Sequence, residues 1–402
     1  MEKNDLSYSY SDYEFPADWN EHKIDDLVAL IERPIAMEDS EEYDLITVKR
    51  NFGGIVSRGK LLGKDILVKN QFQIKDGDFV ISKRQIAHGA CSIVTKEFKD
   101  SIVSNEYNVL NSKGNLSLDF FKYYVQLPFM KRYFYITSDG VHIEKLLFKP
   151  KSWIKRKVCI PAKPEQEKIG EILSAHEKLI NSKIRIIEER KLQQRNIMQN
   201  LLTGKKRLKG FKKDWKEIRL ENVLKERKEV GYNHLELLAI TMNNGVARRN
   251  GLDLVDNSSK DKSKYKRILP LDIGYNTMRM WQGVSGVSEY EGIVSPAYTV
   301  LKPTDKVDSH FMSYLFQLPK VIDTFRRYSQ GLVSDTLNLK YENFKGIKLT
   351  IPTDIKEQKA IAEILKLQDK EIELLNKEVK LLKEQKKGLM QLLLTGKVRV
   401  NC

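Results

Sequence analysis

Cysteine is nearly absent from this chain of 402 residues: Cys91, Cys159 and Cys402 stand far apart and are odd in number. That excludes a disulfide framework and fits a reducing cytoplasm, with all three expected to be inert or buried thiols. The 6 histidines are scattered singly, with no C-x-x-C or H-x-x-x-H spacing, so no metal site is expected. No apolar run approaches the ~18 residues that would span a bilayer. The segment Met1–Glu14 is too polar and acidic to read as a signal peptide. Catalytic constellations are missing as well. No paired carboxylates or nucleophile–base set stands out, and the Asn/Asp-Pro-Pro-Tyr motif that grips an extruded adenine is absent. "GIVSRGKL", Gly54–Leu61, approaches a phosphate-binding loop, but Leu61 stands where Ser or Thr should hold magnesium. It reads as a turn between strands.

What the chain does have, it has twice. "MQNLLTGKKR" (Met198–Arg207) returns 192 residues later as "MQLLLTGKVR" (Met390–Arg399). Residues 165–208 and 357–400 align without a gap, including Glu165-Gln166 with Glu357-Gln358. Upstream, Ile160-Pro161 answers to Ile351-Pro352, Gln126-Leu127-Pro128 to Gln317-Leu318-Pro319, and Ser138-x-Gly140 to Ser329-x-Gly331. Phe15-x-x-Asp18-Trp19 answers to Phe211-x-x-Asp214-Trp215. These matches are collinear, so the chain is a tandem duplication of one unit of roughly 190 residues.

Each unit ends in a helix with a heptad seam. In the second copy the seam is Ile361, Leu365, Gln368, Ile372, Leu375, Val379, Leu382, Lys386, Leu389 and Leu393, in steps of four and three. The first copy is looser: Ile169, Leu173, His176, Ile180, Ile184 or Ile187, Ile197 and Leu201. The polar seam residues His176 and Gln368 are equivalent, a pairing that can fix register. Proline and acidic residues open both helices, and Gly204 and Gly396 close them in the left-handed conformation. The front of each unit is mixed. "DFVISK" (78–83) and "YTVLK" (298–302) read as strands, and "SLDFFKYYVQLP" and "DSHFMSYLFQLP" as helices opened by Ser or Asp. The fold class is therefore α+β: two similar mixed domains, 1–160 and 205–352, each followed by a long helix, 161–204 and 353–398. If the seams pair, the compact solution is antiparallel, with one domain at each end and a pseudo-two-fold internal repeat. About 36 helical residues at ~1.5 Å each then hold the domains roughly 54 Å apart.

The net charge of +16 calls for a polyanionic partner, and the linker Gly204–Lys216 carries seven positive charges against one negative. Two similar basic readers at a fixed spacing match B-DNA when their centres lie about one turn, ~34 Å, apart on one face. The expected target is bipartite, with a non-specific spacer. It is asymmetric because the loops have diverged ("VKRNFGGIV" against "TMNNGVARR"). Arg and Asn in loops read base edges, whereas Lys mostly touches phosphate. The candidates in the second domain are Asn243, Asn244, Arg248, Arg249 and Arg279, with Met280 and Trp281 as apolar or stacking neighbours. In the first they are Lys49, Arg50, Asn51, Lys83, Arg84 and Gln85. Lys212 and Lys213 in the linker are candidates for phosphate contact.

The order domain, helix, domain, helix, with "IPAKPEQEKIGEIL…LLTGK" and "IPTDIKEQKAIAEIL…LLLTGK" and the "SPAYTVL…FQLP" core, resembles the specificity subunit of type I restriction–modification systems over the whole chain. The first copy departs in having "SNEYNVL" for "SPAYTVL" and an acidic loop, "ITSDGVHIEK". The resemblance implies a non-catalytic subunit without a cofactor of its own, in the cytoplasm of a prokaryote. It also implies recognition domains on double-stranded DNA and helices that dock two methyltransferase subunits using S-adenosylmethionine for adenine methylation. Nuclease and translocation subunits would join that complex. A free-standing bipartite DNA-binding regulator and a coiled-coil adaptor remain as alternatives. Copurification of a methyltransferase separates the first from the specificity subunit, and salt-sensitive DNA binding separates the second.

Overall fold

The structure, a computed structural model, describes residues 7–242, 244–249, 259 and 261–401. The chain forms two compact units, Met1–Ile184 with Glu378–Cys402, and Arg185–Lys377. Each unit thus contains an α+β front and a segment of both long helices, Lys163–Leu202 and Ile355–Leu393.

In the first unit, a four-stranded antiparallel sheet runs in the order Val28–Ile31, Tyr107–Ser112, Phe79–Ser82, Cys91–Ile93. A second sheet runs Ile55–Leu62, Glu42–Val48, Ile102–Ser104, Gln71–Gln73, with one parallel contact, Leu45 to Ile102. The second unit repeats the first sheet as Leu224–Glu226, Tyr298–Pro303, Ile273–Asn276, Ser285–Val287. Its other strands form three antiparallel ladders, Trp215–Arg219 with Lys348–Pro352, Leu238–Thr241 with Gly245–Arg248, and Lys266–Ile268 with Gly292–Val294, the last two joined by a parallel bridge from Leu237 to Ile293. The duplication is therefore structural down to the single parallel contact. The Gly54–Leu61 segment departs from expectation: from Ile55 onward it lies in a strand beside Glu42–Val48, with a register break at Leu45/Ile46, and is not a turn.

Equivalent side chains fasten both units. Asp78 is buried and takes Arg33 through two bonds of 2.6 and 3.0 Å, and Asp272 takes Arg227 through bonds of 2.6 and 3.1 Å. The repeated glutamine is a buckle. Gln166 accepts from the N–H of Ser117 (2.8 Å) and donates to the carbonyls of Asn115 (3.1 Å) and Pro161 (2.9 Å). Gln358 does the same with Asp308 (2.8 Å), Lys306 (3.1 Å) and Pro352 (2.9 Å). Both amides are buried, so these bonds replace lost water and fix the helix start against the domain. Ser117 and Asp308 cap the short helices Leu118–Tyr124 and Ser309–Phe316.

The recurrent phrase has a reason at each position. Leu201, Leu202, Leu393 and Leu394 are buried in the unit cores. Thr203 and Thr395 donate to carbonyls four residues back, at 2.5 and 2.6 Å. Gly204 and Gly396 take φ of 71° and 69°, and a Cβ on Gly396 would lie 2.4 Å from Pro16 and 3.1 Å from Trp19. The arginine then reaches the first turn of the other long helix. Arg399 binds Glu165 (2.7 Å) and Asp18 (2.7 Å) in the first unit, and Arg207 binds Glu357 (2.7 Å) in the second.

Within each unit the helical segments are antiparallel. In the first, Glu177 meets Lys386 (3.0 Å) and Lys183 meets Glu378 (2.8 Å); in the second, Arg190 meets Glu371 (3.0 Å) and Gln194 meets Asp369 (2.6 Å). Of the seam positions, Ile169, Leu173, Ile180, Ile187, Leu201, Ile361, Leu365, Val379 and Leu393 are buried. Ile372, Leu375, Leu382 and Leu389 are half-buried. Ile184 is 38% exposed, so the open choice between Ile184 and Ile187 falls to Ile187. Lys183 takes the intervening place, its aliphatic stem half-buried and its amine on Glu378. Cys91 and Cys159 are buried thiols; Cys402 lies outside the described residues.

Glu177 is the hub of the first helix pair, accepting from Lys122, Lys386 and the Tyr123 hydroxyl. Burial alone would raise its carboxyl, but the two ammonium groups outweigh it and hold the pKa at about 2. A depressed carboxylate stabilises the fold fully above its unfolded value near 4.5 and loses that contribution as pH falls toward 2. Glu177→Gln is therefore expected to cost about 1–2 kcal/mol at neutral pH. Thermal unfolding measured across pH should show the gap between variant and parent closing between pH 4.5 and 2.

Candidate nucleic-acid interface

One local structure recurs at the same point of both units. After the central strand Phe79–Ser82, the chain makes a one-turn 3-10 helix, Ile86–His88, closed by Gly89 at φ 75°. After Ile273–Asn276 it makes Met280–Gln282, closed by Gly283 at φ 84°. The N-cap is Gln85 in the first and Arg279 in the second. A short turn on a rigid central strand is a firm platform for a side chain that must read something.

In the first unit the structure joins the two predicted segments. Arg50 Nε donates to Gln85 Oε1 at 2.7 Å, and the N–H groups of Asn51 and Phe52 donate to the carbonyls of His88 (2.7 Å) and Gly89 (2.9 Å). Asn51 and Phe52 both hold positive φ, 56° and 55°. For Phe52 that conformation is costly, and it is kept because the ring packs on Gly89, where a Cβ would lie 2.8 Å away. Lys49 is exposed. Lys83 and Arg84 are engaged by the neighbouring loop: Lys83 Nζ donates to the Asn105 carbonyl (2.5 Å) and Arg84 pairs with Glu106 (2.6 Å).

The second unit distributes its candidates differently. Arg279 is exposed, and no side-chain bond engages it among the described residues, which leaves its guanidinium available. Met280 is a correction: it is fully buried in the core of the unit, because the tight turn points that residue inward. Trp281 is half-buried, its indole N–H on the Met278 carbonyl (3.0 Å). Arg248 lies in a strand, stacked 4.6 Å from the Tyr290 ring and paired with Glu236 at 3.4 Å. Arg249 is half-buried. Asn244 is exposed in the loop, its N–H on the Thr241 hydroxyl (3.1 Å); Asn243 lies outside the described residues. This loop meets the strand after the turn: Gly245 and Gly286 cross so closely that a Cβ on Gly286 would lie 2.6 Å from the Gly245 Cα.

Lys212 and Lys213 stand apart from the turn in sequence, at the helix junction. Lys212 is exposed, while Lys213 pairs with Asp354 (3.6 Å) and its carbonyl accepts from Arg207. Beside the Arg279 turn lies a cleft of about 420 Å³ whose lining includes Lys228, Lys266, Thr277, Met278, Asn338 and Lys340. Sequence reasoning missed Met278, 47% exposed, and Lys340; the equivalence of Lys340 with Lys149 was the available signal. Among the described residues no group of three His, Cys, Asp or Glu side chains is placed to hold a metal, and no helix is long and apolar enough to cross a membrane.

A family model described as the type I restriction modification DNA specificity domain matches residues 16–191 and again 243–384. The chain belongs to that family. It is 25% identical to the type I restriction enzyme MjaVIII specificity subunit of Methanocaldococcus jannaschii, over 96% of this chain and 94% of that protein. Among solved structures it resembles the type I restriction–modification S subunit from M. genitalium, with a TM-score of 0.60 at 15% identity, covering 93% and 96% of the two chains. It also resembles the HsdS subunit from Thermoanaerobacter tengcongensis, with a TM-score of 0.51 at 15% identity, covering 96% and 99%. At these identities the structural likeness speaks to the fold.

Arg279→Ala is expected to relax selection at a single half-site, costing roughly 1–3 kcal/mol per lost base contact. Competition among variant duplexes would measure it; unchanged selection would remove Arg279 from the interface. Changing Lys212 and Lys213 together to Ala should weaken binding on every sequence and flatten the dependence of affinity on salt. A salt slope equal to that of the parent would place these lysines off the DNA.

Proposed function

We propose that this chain is the DNA-recognition subunit of a type I restriction–modification complex, in which each unit reads one half of a bipartite site. The supporting observation is the turn built twice on one framework with different side chains: Lys83-Arg84-Gln85 in one copy, Thr277-Met278-Arg279 in the other. Shared architecture with divergent reading residues makes the half-sites different and the whole site asymmetric. Bases between the halves go unread. The long helices carry two methyltransferase subunits, which take their methyl group from S-adenosylmethionine and modify adenine, and a nuclease–translocase joins the same assembly. Net charge of +16 favours the DNA encounter.

Mapping methylated adenines in the host genome, with the chain's gene intact and deleted, tests this directly. One bipartite motif should carry methylation only when the chain is present, and the methyltransferase should copurify with it. A methylation map indifferent to the deletion, with no copurifying methyltransferase, would point instead to a free-standing regulator.

A further inference from the structure

In each unit the same loop presents an aliphatic side chain to solvent with almost nothing covering it. Leu332 is 102% exposed and Val141 93%; among the described apolar residues Leu67, at 97%, is as bare, but its segment has no such counterpart among the described residues of the second unit. Neither loop is slack. In the second unit, Gln330 and Asn338 exchange both backbone hydrogen bonds (2.9 and 2.8 Å), and a 3-10 turn, Ser334–Thr336, sits between them. In the first, Ser138–Asp139 pairs with Leu147–Phe148 around the turn Ile143–Lys145. The residue before each tip is a glycine at strongly positive φ, Gly331 at 143° and Gly140 at 152°. A Cβ there would lie 2.6 Å from the Thr336 carbonyl oxygen or 2.9 Å from that of Lys145. Two diverged copies thus fold the same constrained loop and end it in an exposed branched aliphatic residue.

Both loops are anchored to the turn described above. The N–H of Leu339 donates to the Thr277 carbonyl (2.8 Å), and the N–H of Phe148 to that of Lys83 (2.9 Å). The helix leading into the second loop, Pro319–Tyr328, lays Ile322 against Gly283 at the end of that turn. Its last turn carries exposed Arg326 and Arg327, the latter paired with Asp323, and exposed Lys340 follows the loop. Asp335 is the acidic residue within the loop itself, so the surroundings of the tip are cationic on balance. At Leu332, an apolar point in a basic setting, beside a platform that offers Arg279, fits duplex DNA better than an apolar protein groove; the Val141 loop, which carries Asp139 and Glu144, joins the argument by its equivalent build and its anchor on Lys83 rather than by charge. DNA offers such a point the thymine methyl in one groove and the gap between base steps in the other.

We propose that Leu332 and Val141 are apolar contacts to the base edges of DNA, one for each half-site, placed beside the Arg279 and Gln85 turns. This rests on the DNA-recognition reading and adds to it an element that carries no hydrogen-bonding group. The test uses the full chain with its methyltransferase and two duplexes, one bearing the genomically mapped site and one unrelated. Leu332→Ser and Val141→Ser should each lower affinity for the site duplex roughly five- to twentyfold. Affinity for the unrelated duplex and copurification of the methyltransferase should stay at parental levels, and Leu332→Ile should bind the site as the parent does. Parental affinity of both serine variants for the site would overturn the inference, as would loss of the methyltransferase from either. A parent complex that fails to distinguish the two duplexes would overturn the recognition reading, and the inference with it.

Discussion

Each unit of this protein is closed by a stretch of chain that arrives from far away in sequence. The first helix begins in the unit that receives the end of the second, and the reverse holds in the other unit. Arg399 on Glu165 and Arg207 on Glu357 mark the two junctions, with Gly396 against Trp19 and Gly204 against Trp215 beneath them. The carboxylates are buried and the guanidiniums are not, so each pair sits at the edge of the core. Removing one partner there strands a buried charge. This reciprocity explains why the chain repeats its phrase. Met390–Arg399 does for the first unit what Met198–Arg207 does for the second.

The same constraint leaves the fronts of the units free to differ. The buried Asp–Arg pair, the glutamine buckle and the order of the main sheet are common to both copies. The turn after the central strand holds its buried residue and its closing glycine, while the neighbouring exposed positions vary. A framework fixed by buried polar groups can carry new side chains at the turn without refolding. That is a physical basis for a recognition protein whose halves read different sequences.

Much of the framework was legible in the sequence because it obeys a period. Heptad steps, helix caps and the left-handed glycines come from local rules, and the duplication made each visible twice. The looser seam of the first helix was harder to read. Lys183 and Gln194 occupy places where an apolar residue is expected, and their role depends on Glu378 and Asp369, almost two hundred residues away. The interface was less legible for a related reason. Three residues of 3-10 helix have no periodicity to reveal that Met280 faces inward, and nothing local announces that Glu106 engages Arg84 or that Glu236 and Tyr290 engage Arg248. Charge in a loop shows that a side chain can reach DNA, whereas its acidic neighbour in space decides whether it is available.

Hydrogen exchange on a chain ending at Lys377, compared with the full chain, tests the closure of the first unit most directly. Without Glu378–Cys402, amides around Trp19 and along the helix from Lys163 to Ile184 should lose protection while those from Arg185 to Lys377 keep it. Full protection of the first unit in the shortened chain would contradict the claim that the returning helix completes it.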